Sequence, residues 1–207
     1  MKKKNIIFDF DGVIADSEFF QLKIWDEVLR ELGYDVGELP ISAIAGIADE
    51  LAIRNLLPAQ SPAIYKKLVF EKKQRCQRQK LDIEPVRGID EFLAFHQTEK
   101  SFSICSNSPA SEIKEFTERH FPSIAFQKIL GKGDFSKEKP DPAPYLKLIE
   151  ITGILPDESV VVEDSVAGVK AARAAGLHVI YLDRYGIAIP NVQSVSSIRG
   201  IRETGII

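Results

Sequence analysis

The chain has very little cysteine and no long apolar segment. Its 207 residues include two cysteines, Cys76 and Cys105, which lie far apart and have no histidine close by in sequence. A disulfide framework and a zinc site are therefore not expected, and a reducing compartment fits this cysteine content better. No run approaches the roughly 18 consecutive apolar residues that a membrane span requires. We therefore expect a cytoplasmic protein that does not enter a membrane.

The chain also lacks a large excess of charge of either sign. It contains 27 lysines and arginines against 30 aspartates and glutamates, so the formal net charge is −3. A net charge this small does not direct a protein to nucleic acid or to a membrane surface. The first residues, MKKKNIIFDFDG, begin like a secretory signal, but Asp9 and Asp11 interrupt the apolar stretch at once. We expect neither a signal peptide nor a nucleic-acid partner.

Short apolar runs predict the strands of a parallel sheet. Continuous β-branched runs of this length are typical of strands that are buried on both faces. The runs are residues 6–8, 102–105, 160–162 and 178–182, with 128–130 as a weaker candidate. Helical patterns alternate with them over residues 90–97, 110–119, 143–152 and 166–175. This alternation predicts an α/β fold with a Rossmann-like parallel sheet.

A long helical segment interrupts this alternation after the first strand. Apolar residues between positions 22 and 32 recur with the spacing of one helix face, and Gly33 follows them. Further helices are predicted in the same segment over residues 49–57 and 62–79. We therefore divide the chain into a core, residues 1–15 and 85–207, and an inserted all-helical cap, residues 16–84.

Polar side chains follow the predicted strands. Ligands of open parallel α/β sheets bind outside the carboxyl ends of the strands. The residues expected at those ends are Asp9, Asp11, Ser106, Asn107, Glu163 and Asp164, together with Lys139 from the loop before a helix. Each residue is a weak signal alone, because an aspartate after a buried strand is often only a turn or capping residue. Together they place four carboxylates, an amine, a hydroxyl and an amide at one edge of the sheet.

This set of side chains suits phosphoryl transfer. Carboxylates without histidine or cysteine favour a hard divalent cation, and Mg²⁺ is the usual partner of phosphate. One aspartate can attack phosphorus to form an aspartyl-phosphate, and a second can protonate the leaving oxygen and then activate water. Ser106, Asn107 and Lys139 have the donors that hold the oxygens of a transferring phosphoryl group.

Four segments resemble, in order, the four motifs of the haloacid dehalogenase (HAD) superfamily. They are residues 8–13 (FDFDGV), 105–107 (CSN), 139–142 (KPDP) and 162–168 (VEDSVAG). The resemblance covers essentially the whole chain, including a helical cap inserted directly after the first motif. It implies a Rossmann-like core and an enzyme that acts on phosphate esters or related substrates.

The resemblance also implies a role for each residue. Asp9 would be the nucleophile and Asp11 the general acid and base. Ser106 and Lys139 would bind the phosphate, with Asn107 beside them. The residues implied as Mg²⁺ ligands are Asp9, Asp11 through its backbone carbonyl, Asp164 and Glu163. Because the chain retains Asp11, the dehalogenases that name the family are disfavoured, since they lack an acid/base aspartate there.

The branch with a small helical cap contains both phosphatases and hexose-phosphate mutases. Those mutases typically carry a histidine in the first cap helix, where this sequence has Gln21, and an arginine in the cap loop, near residues 45–49. Both departures favour a phosphatase of a small phosphate monoester, such as a sugar phosphate or a phosphoglycolate-like compound. The alternative is a mutase similar to β-phosphoglucomutase.

A different class, a phosphoryl-accepting signalling or binding module, fits less well. Response-regulator receivers place the acceptor aspartate in the middle of the chain and have no cap, whereas here the pair opens the sequence. We expect the protein to act as a monomer on a small molecule.

Several other polar residues have simpler explanations. Asp16 and Ser17 are expected to cap the first cap helix, and Ser108 to cap the helix that follows Pro109. The basic residues between positions 66 and 80 are expected to form a solvated helix face.

Overall fold

The computed structural model describes residues 2–44 and 47–207. Its strands, in chain order, are β1 (Asn5–Phe8), β2 (Ser101–Pro109), β3 (Phe126–Lys132), β4 (Ser159–Glu163), β5 (His178–Leu182) and β6 (Gln193–Val195). Its α-helices are α1 (Ser17–Glu31), α2 (Asp49–Leu56), α3 (Pro62–Gln79), α4 (Ile89–His96), α5 (Ala110–His120), α6 (Ala143–Thr152), α7 (Val166–Ala174) and α8 (Ile198–Glu203). Among these described helices, none is both long enough and apolar enough to cross a membrane.

The strands form one parallel sheet in the order β3-β2-β1-β4-β5-β6. The chain proceeds outward from β1 to β3 on one side and from β4 to β6 on the other. The strand order therefore reverses at β1, and such a reversal opens a crevice at the carboxyl ends of the strands. The predicted α/β fold class with a Rossmann-like sheet is confirmed.

Burial explains why the apolar runs became the central strands. Ile6, Ile7 and Phe8 of β1 are completely buried, as is the whole of β4. Helices on both faces of the sheet cover strands of this kind, so neither face needs polar residues. Strand β6 was not predicted, because its sequence, Gln-Ser-Val, lies at the sheet edge and has no apolar run.

The chain separates into two compact units. The core unit comprises the residues up to Ala15 together with Pro85–Ile207, and the helical unit comprises Asp16–Glu84. Each unit contains an apolar cluster of its own: one includes Ile7, Tyr145 and Val161, and the other includes Trp25 and Leu68. The function of the helical unit as a cap stays a prediction.

Two predictions about helix capping are wrong. Helix α5 begins at Ala110 with Pro109 at its N-cap, so Ser108 does not cap it. Ser108 still belongs to strand β2, which extends further than the apolar run that predicted it. Asp16 does occupy the N-cap position of α1, but its side chain makes no capping hydrogen bond, and Ser17 is the first helical residue.

The basic residues of α3 were predicted to form a solvated helix face, but not all of them are exposed. Lys72 is buried, and its Nζ donates to Asp49 Oδ1 at 2.6 Å and to Gln21 Oε1 at 2.7 Å. Arg75 forms an ion pair with Glu31. Lys72 therefore connects α3 to α1 and α2 from a buried position, whereas the half-buried Arg75 pairs with the exposed Glu31 of α1.

Candidate active site

The end of β1 places the first aspartate inside the sheet and the second beyond it. Asp9 continues the strand, since its N–H donates to the carbonyl of Val162 at 2.9 Å, and its side chain is buried. The carbonyl of Phe10 then accepts from the N–H groups of Ile14 and Ala15, at 2.9 and 3.0 Å, which turns the chain. Asp11 therefore lies in a turn, half-buried, rather than on the strand with Asp9.

Gly12 allows Asp164 to approach this turn. Its φ angle is +71°, in the left-handed region that favours glycine. A Cβ atom at Gly12 would lie 1.7 Å from Asp164 Oδ2. Because no side chain fits there, a glycine at this position lets the carboxylate that follows β4 lie directly against the residues that follow β1.

Lys139 connects the strands at the centre of the site. Its Nζ donates to Asp9 Oδ1 at 2.7 Å, to the Cys105 carbonyl at 2.7 Å and to Glu163 Oε1 at 2.6 Å. A lysine ammonium has three protons, and these three acceptors use all of them. The buried ammonium is thereby paired with two carboxylates, whose proximity raises the pKa of Lys139 well above its ordinary value even though burial opposes this.

Asn107 holds the backbone of Lys139. The Lys139 N–H donates to Asn107 Oδ1 at 3.0 Å, and Asn107 Nδ2 donates to the Lys139 carbonyl at 3.3 Å. Sequence reasoning placed Asn107 beside the phosphate. The structure shows its side chain engaged with the loop that carries Lys139, a positioning contact that the sequence did not predict.

Glu163 is completely buried and is hydrogen-bonded at both of its oxygens. Oε1 accepts from Lys139 and from the Tyr145 hydroxyl, the latter at 3.0 Å. Oε2 accepts from the N–H of Ser165 at 3.2 Å and from its hydroxyl at 3.0 Å. The first turn of α7 also packs against this carboxylate, because a Cβ at Gly168 would lie 1.6 Å from Oε1. Glu163 is therefore rigidly placed.

The carboxylates form a cluster that suits a divalent cation. Asp9, Glu163 and Asp164 each offer an oxygen within 4.8 Å of the others. Burial is the largest cause that raises the pKa of Asp9 to about 7; Glu163 and Asp11 contribute to this rise, and Lys139 opposes it. A hard cation would relieve this crowding, and a donor set made only of oxygen atoms matches Mg²⁺. The residues present therefore fit the metal that the sequence predicted.

A short segment of β2 connects the predicted phosphate-binding serine to the second aspartate. Ser106 is almost fully buried, and its Oγ accepts from the N–H of Ser108 at 3.1 Å. The Ser108 hydroxyl in turn donates to Asp11 Oδ2. The hydrogen bonds and close approaches described above join all seven predicted site residues at one end of the sheet.

Two neighbours of the site were missed by sequence reasoning. Tyr145 lies in an ordinary amphipathic helix, and nothing in its local sequence indicates that its hydroxyl reaches Glu163. Ser108 was assigned to helix capping because a serine before a proline is a common helix start. Its hydrogen bonds to Ser106 and Asp11 show that it belongs to the site instead.

The described residues combine a parallel α/β sheet, an aspartate and lysine pair at its strand ends, and a helical segment after the first strand. The chain matches the haloacid dehalogenase-like hydrolase family over residues 6–182 and therefore belongs to that family. The resemblance inferred from the four motifs is confirmed.

Similar proteins carry phosphatase names. The chain is 30% identical over 181 residues to the phosphorylated carbohydrates phosphatase of Thermotoga maritima, covering 85% of this chain and 83% of that protein. It is 29% identical over 187 residues to the fructose-1-phosphate phosphatase of Escherichia coli, covering 84% and 94%. The prediction of an enzyme that hydrolyses phosphoric monoesters is confirmed at the level of this class.

Solved structures share the fold. A HAD-superfamily hydrolase of subfamily IA from Geobacter sulfurreducens superimposes with a TM-score of 0.73, at 23% identity, over 98% of this chain and 96% of that chain. Because the likeness extends over nearly the whole of both chains, it supports the fold of the helical segment as well as that of the sheet.

Proposed function

We propose that the protein is a Mg²⁺-dependent phosphatase that hydrolyses a small phosphate monoester through an aspartyl-phosphate on Asp9. The observation that carries this proposal is the buried Asp9 carboxylate, held by Lys139 at 2.7 Å within a cluster of further carboxylates. A buried carboxylate with a fixed orientation and a cationic neighbour can approach a phosphate dianion that would otherwise repel it.

The proposed reaction has two steps. An oxygen of Asp9 attacks phosphorus while Asp11 donates a proton to the departing alcohol oxygen. Water then attacks the aspartyl-phosphate as Asp11 takes one of its protons, which releases phosphate and restores Asp9. Ser106 and Lys139 bind the oxygens of the transferring group. Since all three protons of Lys139 have protein acceptors, phosphate must replace or share one of them. In the proposed reaction Asp9 is the acceptor that becomes phosphorylated.

The residues that would hold Mg²⁺ are Asp9, Asp164, Glu163 and the backbone carbonyl of Asp11. When bound, the ion supplies positive charge that offsets the repulsion between the nucleophile and the phosphate. As a metal ligand, Glu163 would have to bind the ion while both of its oxygens also accept hydrogen bonds from the protein. We therefore infer that Glu163 acts chiefly by orienting Lys139 and by adding negative charge to the metal site.

Phosphatase activity is favoured over the mutase alternative by Gln21. An amide is neither acid nor base near neutral pH, so it cannot assist the return of a phosphoryl group to a sugar hydroxyl. Its Oε1 accepts from Lys72 instead. The second departure from the mutases concerns residues 45–49, and positions 45 and 46 lie outside the described residues. The names of the relatives suggest a sugar phosphate or phosphoglycolate as substrate, and a monomer acting on a small molecule stays our expectation.

The test is phosphate release from a panel of sugar phosphates, phosphoglycolate and 4-nitrophenyl phosphate, with and without Mg²⁺. We expect turnover that requires Mg²⁺ and that falls at least about 1,000-fold in Asp9→Asn, because the amide cannot form the intermediate. Turnover that survives EDTA, or that survives in Asp9→Asn, would overturn the mechanism. Migration of phosphate between sugar positions with little free phosphate would favour the mutase.

A further inference from the structure

The hydroxyl of Ser108 is placed to control the second aspartate of the site. It donates to Asp11 Oδ2, whereas the N–H of the same residue donates to Ser106 Oγ at 3.1 Å. Ser108 thus contacts both the proposed acid and base and the proposed phosphate-binding serine, although the motif comparison assigns it no role.

The backbone around Ser108 is held tightly in place. A Cβ atom at Gly131 would lie 2.6 Å from the Ser108 carbonyl oxygen and 2.4 Å from the Ala110 nitrogen. Strand β3 therefore packs against this segment at a distance that only glycine allows. The hydroxyl of Ser108 extends from a fixed point, so its hydrogen bond constrains Asp11 rather than merely following it.

The bond selects one oxygen of Asp11. A carboxyl group has two oxygens, and rotation about its last bond exchanges them. A donor on Oδ2 leaves Oδ2 as the accepting oxygen and leaves Oδ1 to carry the transferable proton. Without this bond the acid group can rotate, and the proton is correctly placed for only part of the time. Proton transfer requires the two heavy atoms to lie within about 2.6–3.2 Å.

We propose that Ser108 is a positioning residue that orients Asp11 so that Oδ1 delivers and receives the proton. This inference rests on the proposed function. In the first step the bond between phosphorus and the leaving oxygen breaks as the Asp9–phosphorus bond forms. The leaving oxygen keeps the electron pair and takes the Oδ1 proton. In the second step water gives a proton to Oδ1 as its oxygen bonds to phosphorus and the Asp9–phosphorus bond breaks.

The dependence on the leaving group distinguishes positioning from a general structural effect. An alkyl phosphate needs a proton on its leaving oxygen, whereas 4-nitrophenyl phosphate has a leaving group that departs without one. The ratio kcat/KM reports only the steps up to formation of the aspartyl-phosphate, so the second step does not obscure the comparison.

The experiment compares wild type, Ser108→Ala and Ser108→Thr with Mg²⁺ present. For Ser108→Ala we expect kcat/KM to fall about 10- to 100-fold on an alkyl phosphate and less than about threefold on 4-nitrophenyl phosphate. Ser108→Thr keeps the hydroxyl and should restore the alkyl activity to within about threefold of wild type. An equal loss on both substrates, or no loss on the alkyl phosphate, would overturn the inference.

Two further variants separate this inference from the proposed function. Asp9→Asn should lose activity on both substrates, and residual turnover there would refute the proposed function rather than the role of Ser108. Ser108→Cys is nearly the same size but is a weak donor, so it should show the same selective loss as Ser108→Ala even if alanine impairs folding. Wild-type behaviour of the cysteine variant would contradict the role of the hydroxyl.

Discussion

Asp9 is a buried carboxylate whose ionised form is disfavoured in the folded protein. Burial, together with the nearby Glu163 and Asp11 and against the effect of Lys139, raises its pKa from 3.8 to about 7. A raised folded pKa makes a contribution to stability that is complete below pH 3.8 and is lost as pH rises through about 7. The metal-free enzyme is therefore destabilised when Asp9 ionises.

The stability of the metal-free enzyme should consequently fall between about pH 4 and pH 7, and the fall should be smaller in Asp9→Asn. Denaturant unfolding in EDTA across this range measures it for both proteins. Mg²⁺ should abolish the fall in the wild type, since the cation takes the place of the proton. Parallel pH curves for the two proteins in EDTA would show that Asp9 ionisation does not govern this stability.

Gly12 offers a second test at the residue scale, with Gly153 as its matched control. Both glycines have a left-handed φ, +71° and +69°, but a Cβ at Gly12 meets Asp164 whereas nothing lies within 4 Å at Gly153. Each substitution to alanine should cost about 1–2 kcal/mol of stability from backbone strain. Only Gly12→Ala should also displace Asp164 and so raise the Mg²⁺ concentration needed for half-maximal activity. An equal Mg²⁺ requirement in both variants would contradict the close approach.

The residues that the sequence predicted and those that it missed differ in one respect. Asp9 and Lys139 are recognisable because their own segments have a characteristic sequence. Tyr145 and Ser108 act through contacts with Glu163 and Asp11, residues far away in the chain. Such contacts depend on which side chains meet across packed elements, and no local pattern carries that information.

At the scale of elements, the buried Lys72 joins the helices of the helical unit. Its ammonium bonds Asp49 at the start of α2 and Gln21 in α1, so α3 is tied to both. Lys72→Ala leaves a partly buried carboxylate without its partner and should lower the free energy of unfolding by about 2–3 kcal/mol. The matched control is Lys73→Ala, at an exposed position of the same helix, which should change stability by less than about 0.5 kcal/mol.

Unfolding of both variants in denaturant measures the difference. Equal losses of unfolding free energy in the two variants would mean that the contacts of Lys72 do not stabilise the helical unit.

Elements were predictable where their own residues determine them. Strand β5 and helices α3 and α6 have the predicted bounds, because an apolar run or a helical period continues to their ends. Strand β2 extends through Ser106 and Asn107 to Pro109, since pairing with β3 continues the extended backbone past its last apolar residue. A polar extension of this kind is determined by a neighbouring strand rather than by local sequence.

At the scale of the whole molecule, the two compact units have separate apolar clusters and separate buried ion pairs. The Lys139 pairs belong to the core unit, and the Lys72 pair belongs to the helical unit. Local stability follows buried contacts, so perturbing one unit should act mainly on the amides of that unit.

Hydrogen exchange tests this separation directly. Mg²⁺ should slow exchange in β1 and β4, which carry the carboxylates of the site, and should leave α3 unchanged. Lys72→Ala should speed exchange in α2 and α3 and leave β1 and β4 unchanged, because its lost contacts lie wholly within the helical unit. Lys73→Ala should change neither region. If Lys72→Ala instead accelerated exchange in β1, the buried pairs of the two units would belong to one cooperative structure, and their effects on stability would have to be treated together.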